Sequence, residues 1–366
     1  MEYPSISQLA FSMLRGMTAE LAAAVLAVVG TEERFFEMSE SELVACSQLS
    51  SRFFRRDYRD GLLSLAEGEL EFVLKNSIKA TYFSDGDYPV RLQTVPDAPV
   101  MLFQKGACDL CSKHIVSIVG TRHATAYGVG LCRDLVAGLK SQIGDDVVVV
   151  SGLAYGIDVA AHLAALEYGL PTVAVLAHGL DMIYPAQHRC VARDIVRNGG
   201  AVVTEYCSRS RVHKGNFLAR NRIVAALSDC TVVVESASKG GALVTANIAQ
   251  GYGREVMAFP GRSGDEFSRG CNDLIRRNVA SLIEGVGDLV DLLQWKRDTK
   301  PVEAPLFVEL TPQEEQVVAE MRKRDVSQLN DLCGATRIPV HVMLGLLFEL
   351  ELKGIVRVLP GNRYQL

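Results

Sequence analysis

The sequence predicts an α/β protein whose core is a doubly wound parallel sheet. Three observations carry this prediction. Short apolar runs rich in valine recur between residues 114 and 259, stretches long enough for a crossover helix separate them, and glycines follow several of the runs. Buried β-type runs that alternate with helical segments are typical of a parallel sheet covered by helices on both faces.

The individual elements of this core follow from the same pattern. Strands are expected at 115–119, 147–150, 172–176, 201–203, 231–234 and 256–259. Crossover helices are expected over 156–168 and 217–227. Because ligands of such folds bind beyond the carboxyl ends of the strands, the loops that leave these strands are the candidate functional segments.

The segment before this core is expected to be helical. Apolar residues recur at helical spacing up to about residue 80, and Gly16 and Gly30 stand where helices would end. A linker with Pro89, Pro96 and Pro99 is expected to follow. The predicted domains are therefore a helical domain over 1–80 and the α/β domain over 81–296.

The segment after the core is expected to be a separate small domain. Residues 297–308 contain Pro301 and Pro305 and are interpreted as a linker. The rest, 309–366, has the pattern of three short helices and a β-hairpin around Pro360-Gly361-Asn362. That order of elements is the outline of a winged helix, which completes the fold class.

Composition favours a globular protein of the cytoplasm with no membrane segment. The 366 residues are 48% hydrophobic and 22% charged, and no window approaches the ~18 unbroken apolar residues that span a bilayer. The N-terminus has no pattern of an export signal. Nine scattered cysteines favour reduced thiols, and Cys108 and Cys111 are interpreted as ordinary thiols because no second pair stands at zinc-site spacing.

The net charge of −5 argues by itself against a nucleic-acid partner. A binding face needs only local positive charge, however, so the distribution of the basic residues matters more than their sum. The densest basic segment, 207–222, contains five Lys or Arg and no acidic residue. Asn216 is expected to cap the helix that follows, which would place Phe217, Arg220 and Asn221 on one face.

This basic segment favours a single-stranded nucleic acid. Cations near a helix N-terminus oppose the helix dipole, so helix stability does not explain them, whereas an external anion does. Basic residues contact phosphates and an exposed ring stacks on a base. The alternative is a solvated basic loop beside a phenylalanine that belongs to the core.

Two other loops are candidate phosphate sites. The first strand ends in Gly120-Thr121-Arg122, and the fifth leads to Lys239-Gly240-Gly241 before a helix. Arg122 is either a phosphate ligand or the partner of a carboxylate, and the sequence alone favours neither. The dinucleotide fingerprint and the Walker A spacing are both missing, so no cofactor and no ATP hydrolysis are expected.

The loop after the second strand permits a weak hydrolase interpretation. Ser151, Asp158 and His162 are the residue types of a catalytic triad. Ser151 does not stand in a G-x-S-x-G elbow, and Asp158 and His162 are spaced like a structural pair on one helix. We therefore expect a binding protein rather than an enzyme.

A succession of motifs runs through the predicted α/β domain: 119–122, 151–158 with 161–162, 217 with 220–224, 233–235, 241–246, 260–261 and 270–275. Taken together, these motifs resemble the DNA-processing protein A (DprA/Smf) family. The resemblance covers most of residues 80–296, and the flanking segments are similar to that family's sterile-alpha-motif-like and winged-helix domains.

The resemblance implies a Rossmann-like domain that binds single-stranded DNA as a homodimer. It also implies protection of incoming DNA, displacement of single-strand-binding protein and loading of RecA during natural transformation. The DNA-binding residues that we carry over or add from the loops are Gly120, Thr121, Arg122, Ser151, Gly152, Lys214, Phe217, Arg220, Asn221, Arg222, Lys239, Gly240 and Thr245.

The chain departs from the family pattern at a few positions. Thr121 stands where serine is usual and Asn278 where glycine is usual, while Cys207 and Leu218 replace prolines. The path of the basic loop is therefore open, and with it the choice among Arg209, Arg211 and Lys214 as DNA ligands.

Two other functions are alternatives to the capture of single-stranded DNA. A nucleotide phosphoribohydrolase of the lysine-decarboxylase-like group needs a Pro-Gly-Gly-x-Gly-Thr loop, but residues 238–243 read Ser-Lys-Gly-Gly-Ala-Leu. A transcription regulator would read duplex DNA through the winged helix. Residues 307–366 carry seven Lys or Arg against eight Asp or Glu, which favours a protein partner for this tail.

Overall fold

The computed structural model describes residues 3–46, 51–295, 310–323, 327–353, 355–359 and 363–366. The chain divides into two units, Met1–Arg297 and Asp298–Leu366. The predicted linker 297–308 lies outside the described residues.

Within the described residues, nine strands of the first unit form one sheet in the order β1-β2-β6-β5-β4-β3-β7-β8-β9. Strands β3 to β9 pair in parallel, while β2 is antiparallel to β6 and β1 is antiparallel to β2. The predicted doubly wound sheet is thus confirmed. The strands are β1 Lys79–Tyr82, β2 Met101–Gly106, β3 His114–Val119, β4 Val147–Ser151, β5 Thr172–Val175, β6 Ala201–Thr204, β7 Cys230–Val233, β8 Glu255–Ala258 and β9 Ser281–Leu282.

The valine run of β4 shows why these segments are strands. Val148 and Val150 belong to the core on one face of the sheet, and Val147 and Val149 to the core on the other. Successive strand residues point to opposite faces, so a run without polar interruptions needs helices on both sides. Those helices are α7 Ala126–Gln142, α8 Ile157–Glu167, α9 Arg189–Arg197, α10 Lys214–Ala226, α11 Gly241–Gly251, α12 Arg269–Arg276 and α13 Val286–Leu292.

The winding of the chain determines where a ligand site forms. β3 lies between β4 and β7, and the chain proceeds outward from β3 in both directions. The loops after β3 and β7 therefore lead to helices on opposite faces and leave a crevice at the carboxyl ends of these strands.

The N-terminal segment is helical, as predicted, and its apolar residues, among them Phe35 and Phe54, form a core that also includes Met101 of β2. Threonine or serine caps begin three of its helices. Its helices are α1 Ile6–Ser12, α2 Ala19–Val29, α3 Glu32–Glu37, α4 Glu40–Cys46 and α5 Arg56–Lys75.

The predicted proline linker after residue 80 is wrong in part. The segment contains β1 and β2, with Ala80 opposite Phe103, and the short helix α6 Val90–Gln93 between them. All three prolines lie outside the strands, where the lack of an N–H group does not interrupt a ladder. Only four to six residues form each strand, which is too few for their alternation to stand out in the sequence.

The second unit has the helices and hairpin that the sequence predicted. α14 Pro312–Met321 begins with a capping box between Thr311 and Glu314, and α15 Leu329–Thr336 and α16 Val340–Leu352 follow. In the described part of this unit, β10 Ser327–Gln328, β12 Arg363–Gln365 and β11 Arg357–Leu359 pair in that order. The turn at 360–362 lies outside the described residues.

No single helix in the described part of the chain is long and apolar enough to cross a membrane. Leu329–Thr336 and Val340–Glu351 reach that length and hydropathy only when they are counted together, and they are bent by 110° relative to each other.

Candidate nucleic-acid interface

A cavity of about 600 Å³ opens at the carboxyl ends of β3, β4 and β7. Its position is the crevice that the reversal of strand order creates. Predicted site residues on its wall are Gly120, Thr121, Arg122, Gly152, Lys214, Phe217, Arg220, Asn221, Lys239, Gly240 and Thr245. Ser151 and Arg222 are not among the wall residues.

The loop after β3 forms one wall and is tightly packed. A Cβ atom on Gly120 would lie 2.5 Å from Cγ1 of Ile157, so only glycine lets α8 approach this strand. The Thr121 N–H donates to the carbonyl of Glu235 at 2.8 Å. The Arg122 side chain is exposed, and in the described part of the chain it forms no ion pair. Among the described residues, Arg122 therefore has no carboxylate partner, which was the alternative to a role as phosphate ligand.

The loop after β4 contains Gly152, which lines the cavity, and follows Ser151, which does not. A Cβ atom on Gly152 would lie 2.5 Å from Nη2 of Arg220 and 2.6 Å from Oδ2 of Asp158, so glycine leaves room for both groups. Ser151 is buried, and its hydroxyl donates to the carbonyl of Ile118 at 2.6 Å. Ser151 therefore joins two strands, and its role as a DNA ligand stays a prediction that this hydrogen bond does not favour.

Helix α10 begins earlier than the sequence predicted. His213 is its N-cap and accepts the Gly215 N–H on Nδ1 at 3.0 Å. Asn216 instead donates from its side chain to the carbonyls of Ala177 and Arg211, both at 3.3 Å. Because α10 begins at Lys214, this lysine lies in the first turn, three residues before Phe217. Both side chains therefore lie on the helix face toward the cavity.

Phe217 is half-buried and, in the part of the chain that the structure describes, belongs to none of the apolar cores. Its ring lies edge-to-face against Tyr184 with centroids 5.7 Å apart, and Cζ of Arg122 lies 5.8 Å from its centre. An arginine and an aromatic ring on the same wall can contact a phosphate and a base of one strand. The sequence missed Tyr184, because it reaches the cavity from the loop after β5 and has no local motif.

Arg220 is buried in the floor of the cavity. Nη1 donates to the carbonyl of Gly152 at 2.7 Å and to that of Val175. Burial lowers the pKa of Arg220 and the carboxylate of Asp158 opposes that change, while burial raises the pKa of Asp158 against the pull of Arg220. Two buried charges of opposite sign thus support each other, and Nη2 has no hydrogen-bond partner among the described residues.

Arg222 lies on the other side of α10 and does not line the cavity, so its role as a DNA ligand stays a prediction. Its guanidinium donates to the carboxylate of Glu205 and to the carbonyl of Asp97. Residues two apart on a helix do not share a face, so Arg220 and Arg222 have separate surroundings. Burial raises the pKa of Glu205, and Arg222 opposes this rise.

We expect Arg222→Ala to destabilise the fold and to leave DNA contacts intact. The change leaves Glu205 buried without its cation, which costs about 3 kcal/mol in the free energy of unfolding. Urea unfolding and DNA titration over a range of salt concentrations measure the two effects. Unchanged stability together with a weaker salt dependence would instead make Arg222 a phosphate ligand.

The loop after β7 supplies the remaining wall. Lys239 is exposed, and Gly240 is the N-cap of α11, whose first turn faces the cavity. Thr245 is buried and donates its hydroxyl to the carbonyl of Gly241 at 3.2 Å. Asn221 also donates to the Gly241 carbonyl, at 3.4 Å, and thereby links this loop to α10.

The charge of the cavity differs in sign from the charge of the chain. Arg122, Lys214 and Lys239 are exposed on its rim and Arg220 lies in its floor. Among the described residues that line it, Asp158 is the only acidic one, and it is buried under Arg220. The cavity therefore offers an anion several cations in spite of the net charge of −5.

The arrangement does not support the hydrolase interpretation. Ser151 is bonded to a backbone carbonyl, and Nδ1 of His162 lies 2.7 Å from the hydroxyl of Thr172. Burial lowers the pKa of His162 to about 3, so its neutral ring is too weak a base for proton transfer near neutral pH. Asp158 faces the cavity beside Arg220 rather than the histidine ring.

The basic loop 207–213 is anchored to the helical segment. The buried carboxylate of Glu69 on α5 accepts the Ser208 N–H at 2.9 Å and the Ser208 hydroxyl at 2.5 Å. Of the three cations left open by the sequence, only Lys214 lines the cavity.

Comparison with known proteins assigns the chain to a family. The family model for DNA recombination-mediator protein A matches residues 79–294, and the model for the DprA winged helix domain matches residues 301–362. The chain belongs to this family. The predicted resemblance is therefore confirmed, and so is the winged-helix class of the second unit.

Relatives of this family are similar over most of the chain. A putative DNA processing protein DprA of Mycobacterium tuberculosis is 35% identical over 315 residues, which are 81% of this chain and 79% of that protein. DNA processing protein DprA of Streptococcus pneumoniae is 39% identical over 55% of this chain and 70% of its own length. Protein Smf of Escherichia coli is 33% identical over 76% of this chain and 75% of its own length.

Two solved structures of the family share the fold. The match with the structure of DprA from Streptococcus pneumoniae covers 79% of this chain and 98% of the chain in that structure, with a TM-score of 0.65 and 30% identity. The match with the structure of DprA from Helicobacter pylori covers 60% of this chain and 97% of the chain in that structure, with a TM-score of 0.53 and 29% identity. The latter structure is described as showing a single-stranded DNA binding mode of that protein.

Proposed function

We propose that this chain binds single-stranded DNA in the cavity at the ends of β3, β4 and β7. The observation that carries the proposal is the combination, around one cavity, of exposed Arg122, Lys214 and Lys239 with the half-buried ring of Phe217. Cations attract the phosphates of a strand, and a ring binds any base through its face. The DNA binding described for the Helicobacter pylori relative supports the same function here.

A duplex does not suit this site. Bases inside a duplex are stacked and paired, so Phe217 reaches one only after the base is taken out of the stack. We therefore expect fluorescence anisotropy to show tighter binding of a labelled single strand than of the same strand in a duplex. Equal affinity for both forms would overturn the proposal.

The biological role that we propose is that of a recombination mediator. In this role the protein protects incoming single strands, displaces single-strand-binding protein and loads RecA during natural transformation. Membership of the recombination-mediator family supports it. RecA-driven strand exchange on DNA covered with single-strand-binding protein tests it: addition of this protein should shorten the lag. Because recombination occurs where the chromosome is, we place the protein in the cytoplasm.

We also propose that the protein binds DNA without catalysing a reaction. The loop at 238–243 does not match the glycine-threonine pattern of the phosphoribohydrolase group, and the side chains of Ser151 and His162 hydrogen-bond to separate structural partners. Release of free adenine from AMP by the purified protein would reverse this conclusion.

We expect a homodimer that pairs through the end of the sheet near β9. Leu274 and Ile283 belong to the cores, but Ile275 is only half-buried and Leu282 on the edge strand is exposed. Leu282→Glu should therefore shift sedimentation from dimer to monomer, because it puts a charge into an apolar interface. Wild-type protein that sediments only as a monomer at tens of micromolar, with and without DNA, would contradict the expectation.

We expect the second unit to be dispensable for DNA capture. Its described residues include an exposed apolar row on α16, Val340, Leu344 and Phe348, where a duplex-reading helix would be polar or basic. Truncation after Arg297 should leave the affinity for single strands within a few-fold of the full chain. A hundredfold loss would place a necessary part of the DNA site in residues 298–366.

A further inference from the structure

Tyr184 presents an exposed ring at the rim of the cavity. The residue is 48% exposed, and its ring borders the ring of Phe217 edge-to-face. The backbone holds it there: the Tyr184 N–H donates to Nε2 of His178 at 3.1 Å, and Nδ1 of that buried histidine lies 2.9 Å from the carbonyl of Gly179. Two edge-to-face rings have different faces, so one base cannot stack on both.

Tyr155 presents a second exposed ring in the turn between β4 and α8. Its hydroxyl donates to Oε1 of Gln187 at 2.9 Å, and its ring lies 5.1 Å from that of His188, edge-to-face. His188 is itself buried and bonded through Nδ1 to the carbonyl of Leu153 at 2.8 Å. The ring of Tyr155 is therefore fixed in direction although 42% of the residue is exposed.

The two tyrosines lie on one continuous surface that starts at the cavity. Ala154, the neighbour of Tyr155, lines the cavity together with Tyr184. The residues that hold Tyr155, Gln187 and His188, follow Tyr184 by three and four positions. The segment 184–188 thus connects the cavity rim to Tyr155.

These rings suit a flexible strand better than a compact ligand. Every base has a π-face, so stacking positions need neither a pocket nor a charge of their own. A ring that is already fixed loses little conformational freedom when a ligand binds.

We propose that Tyr184 and Tyr155 are stacking positions for the bases that follow the one held by Phe217. This inference rests on the proposed function, because it extends the same DNA site. The strand then occupies the cavity and continues over at least two further bases toward Tyr155. Because β4 and β5 lie on one side of β3 and β7 lies on the other, this path leaves the cavity on the side away from Lys239.

Oligothymidines of graded length test the proposal by anisotropy. Wild-type affinity should rise with length until the cavity and both tyrosines are covered. Tyr184→Leu should weaken binding of long strands by about tenfold, and Tyr155→Leu by about fivefold, each without a change in salt dependence. The shortest strands, which fill only the cavity, should not distinguish Tyr155→Leu from wild type. Tyr184→Phe keeps the ring and should bind like wild type. Tyr155→Phe keeps the ring but loses the hydrogen bond to Gln187, so it should bind long strands more tightly than Tyr155→Leu does.

Abasic sites in the oligonucleotide test the same contacts without a change in the protein. Removing the base over Tyr155 should weaken binding to wild type and have no further effect on Tyr155→Leu. If both leucine variants bind every length like wild type while Phe217→Ala is weaker, the tyrosine path is wrong and the proposed function stands. If wild type binds no single strand, the proposed function itself fails.

Discussion

Replacing Phe217 with alanine is expected to weaken single-stranded DNA binding by about 1–3 kcal/mol. The ring borders the cavity, is half-buried, and contacts Tyr184 and Arg122 rather than an apolar core. Stacking on a base is largely independent of ion release. A plot of log affinity against log salt should therefore move down in parallel, without a change in slope.

The neighbouring Leu218→Ala is the matched control for this variant. Leu218 also borders the cavity, is 55% exposed and has no ring, so its replacement should change affinity by less than that of Phe217. Thermal melting of the same samples separates a lost contact from a damaged fold. Phe217→Ala with wild-type affinity would show that no base stacks there, and a large loss of melting temperature would make the ring structural.

Arg122→Ala and Lys214→Ala are each expected to reduce the salt dependence of binding. Both side chains are exposed on the cavity wall, and among the described residues neither forms an ion pair. Each lost phosphate contact on a single strand lowers the magnitude of the slope by about 0.7, because fewer counterions are released. The double variant should lower it by about 1.4 if the two contacts are independent.

Arg133→Ala is the control for a general loss of positive charge. Arg133 lies on α7 with an exposed side chain paired to Glu167, and it does not line the cavity. Its replacement should leave the slope at the wild-type value. If Arg122→Ala binds like wild type at every salt concentration, the loop after β3 does not contact the phosphates.

The parallel sheet could be predicted from the sequence because a strand that is buried on both faces has an uninterrupted apolar run. Four successive valines in β4 have no other simple explanation, and glycines such as Gly120 mark where a strand end must approach a helix. The antiparallel strands β1 and β2 were missed because each is short and lies among prolines and turns. Their pairing with β6 is a long-range contact that no local pattern encodes.

The basic segment was predicted as one surface, and the fold divides it. A helix that begins at Lys214 places Lys214 and Phe217 at the cavity, buries Arg220 in the floor, and turns Arg222 toward Glu205. The helix start was misplaced because asparagine is a common N-cap and histidine an uncommon one. Tyr184 was missed for a different reason: its contact with Phe217 exists only after two separate loops have met.

Photo-crosslinking tests most directly whether single-stranded DNA binds in the cavity. A strand that carries 5-iodouracil is bound to the full chain, irradiated, and the linked peptides are identified by mass spectrometry. We predict links to the peptide with Phe217 and to the peptide with Tyr184, and a loss of both when Arg122 and Lys214 are replaced together. Links confined to residues 310–366 would contradict binding in the cavity.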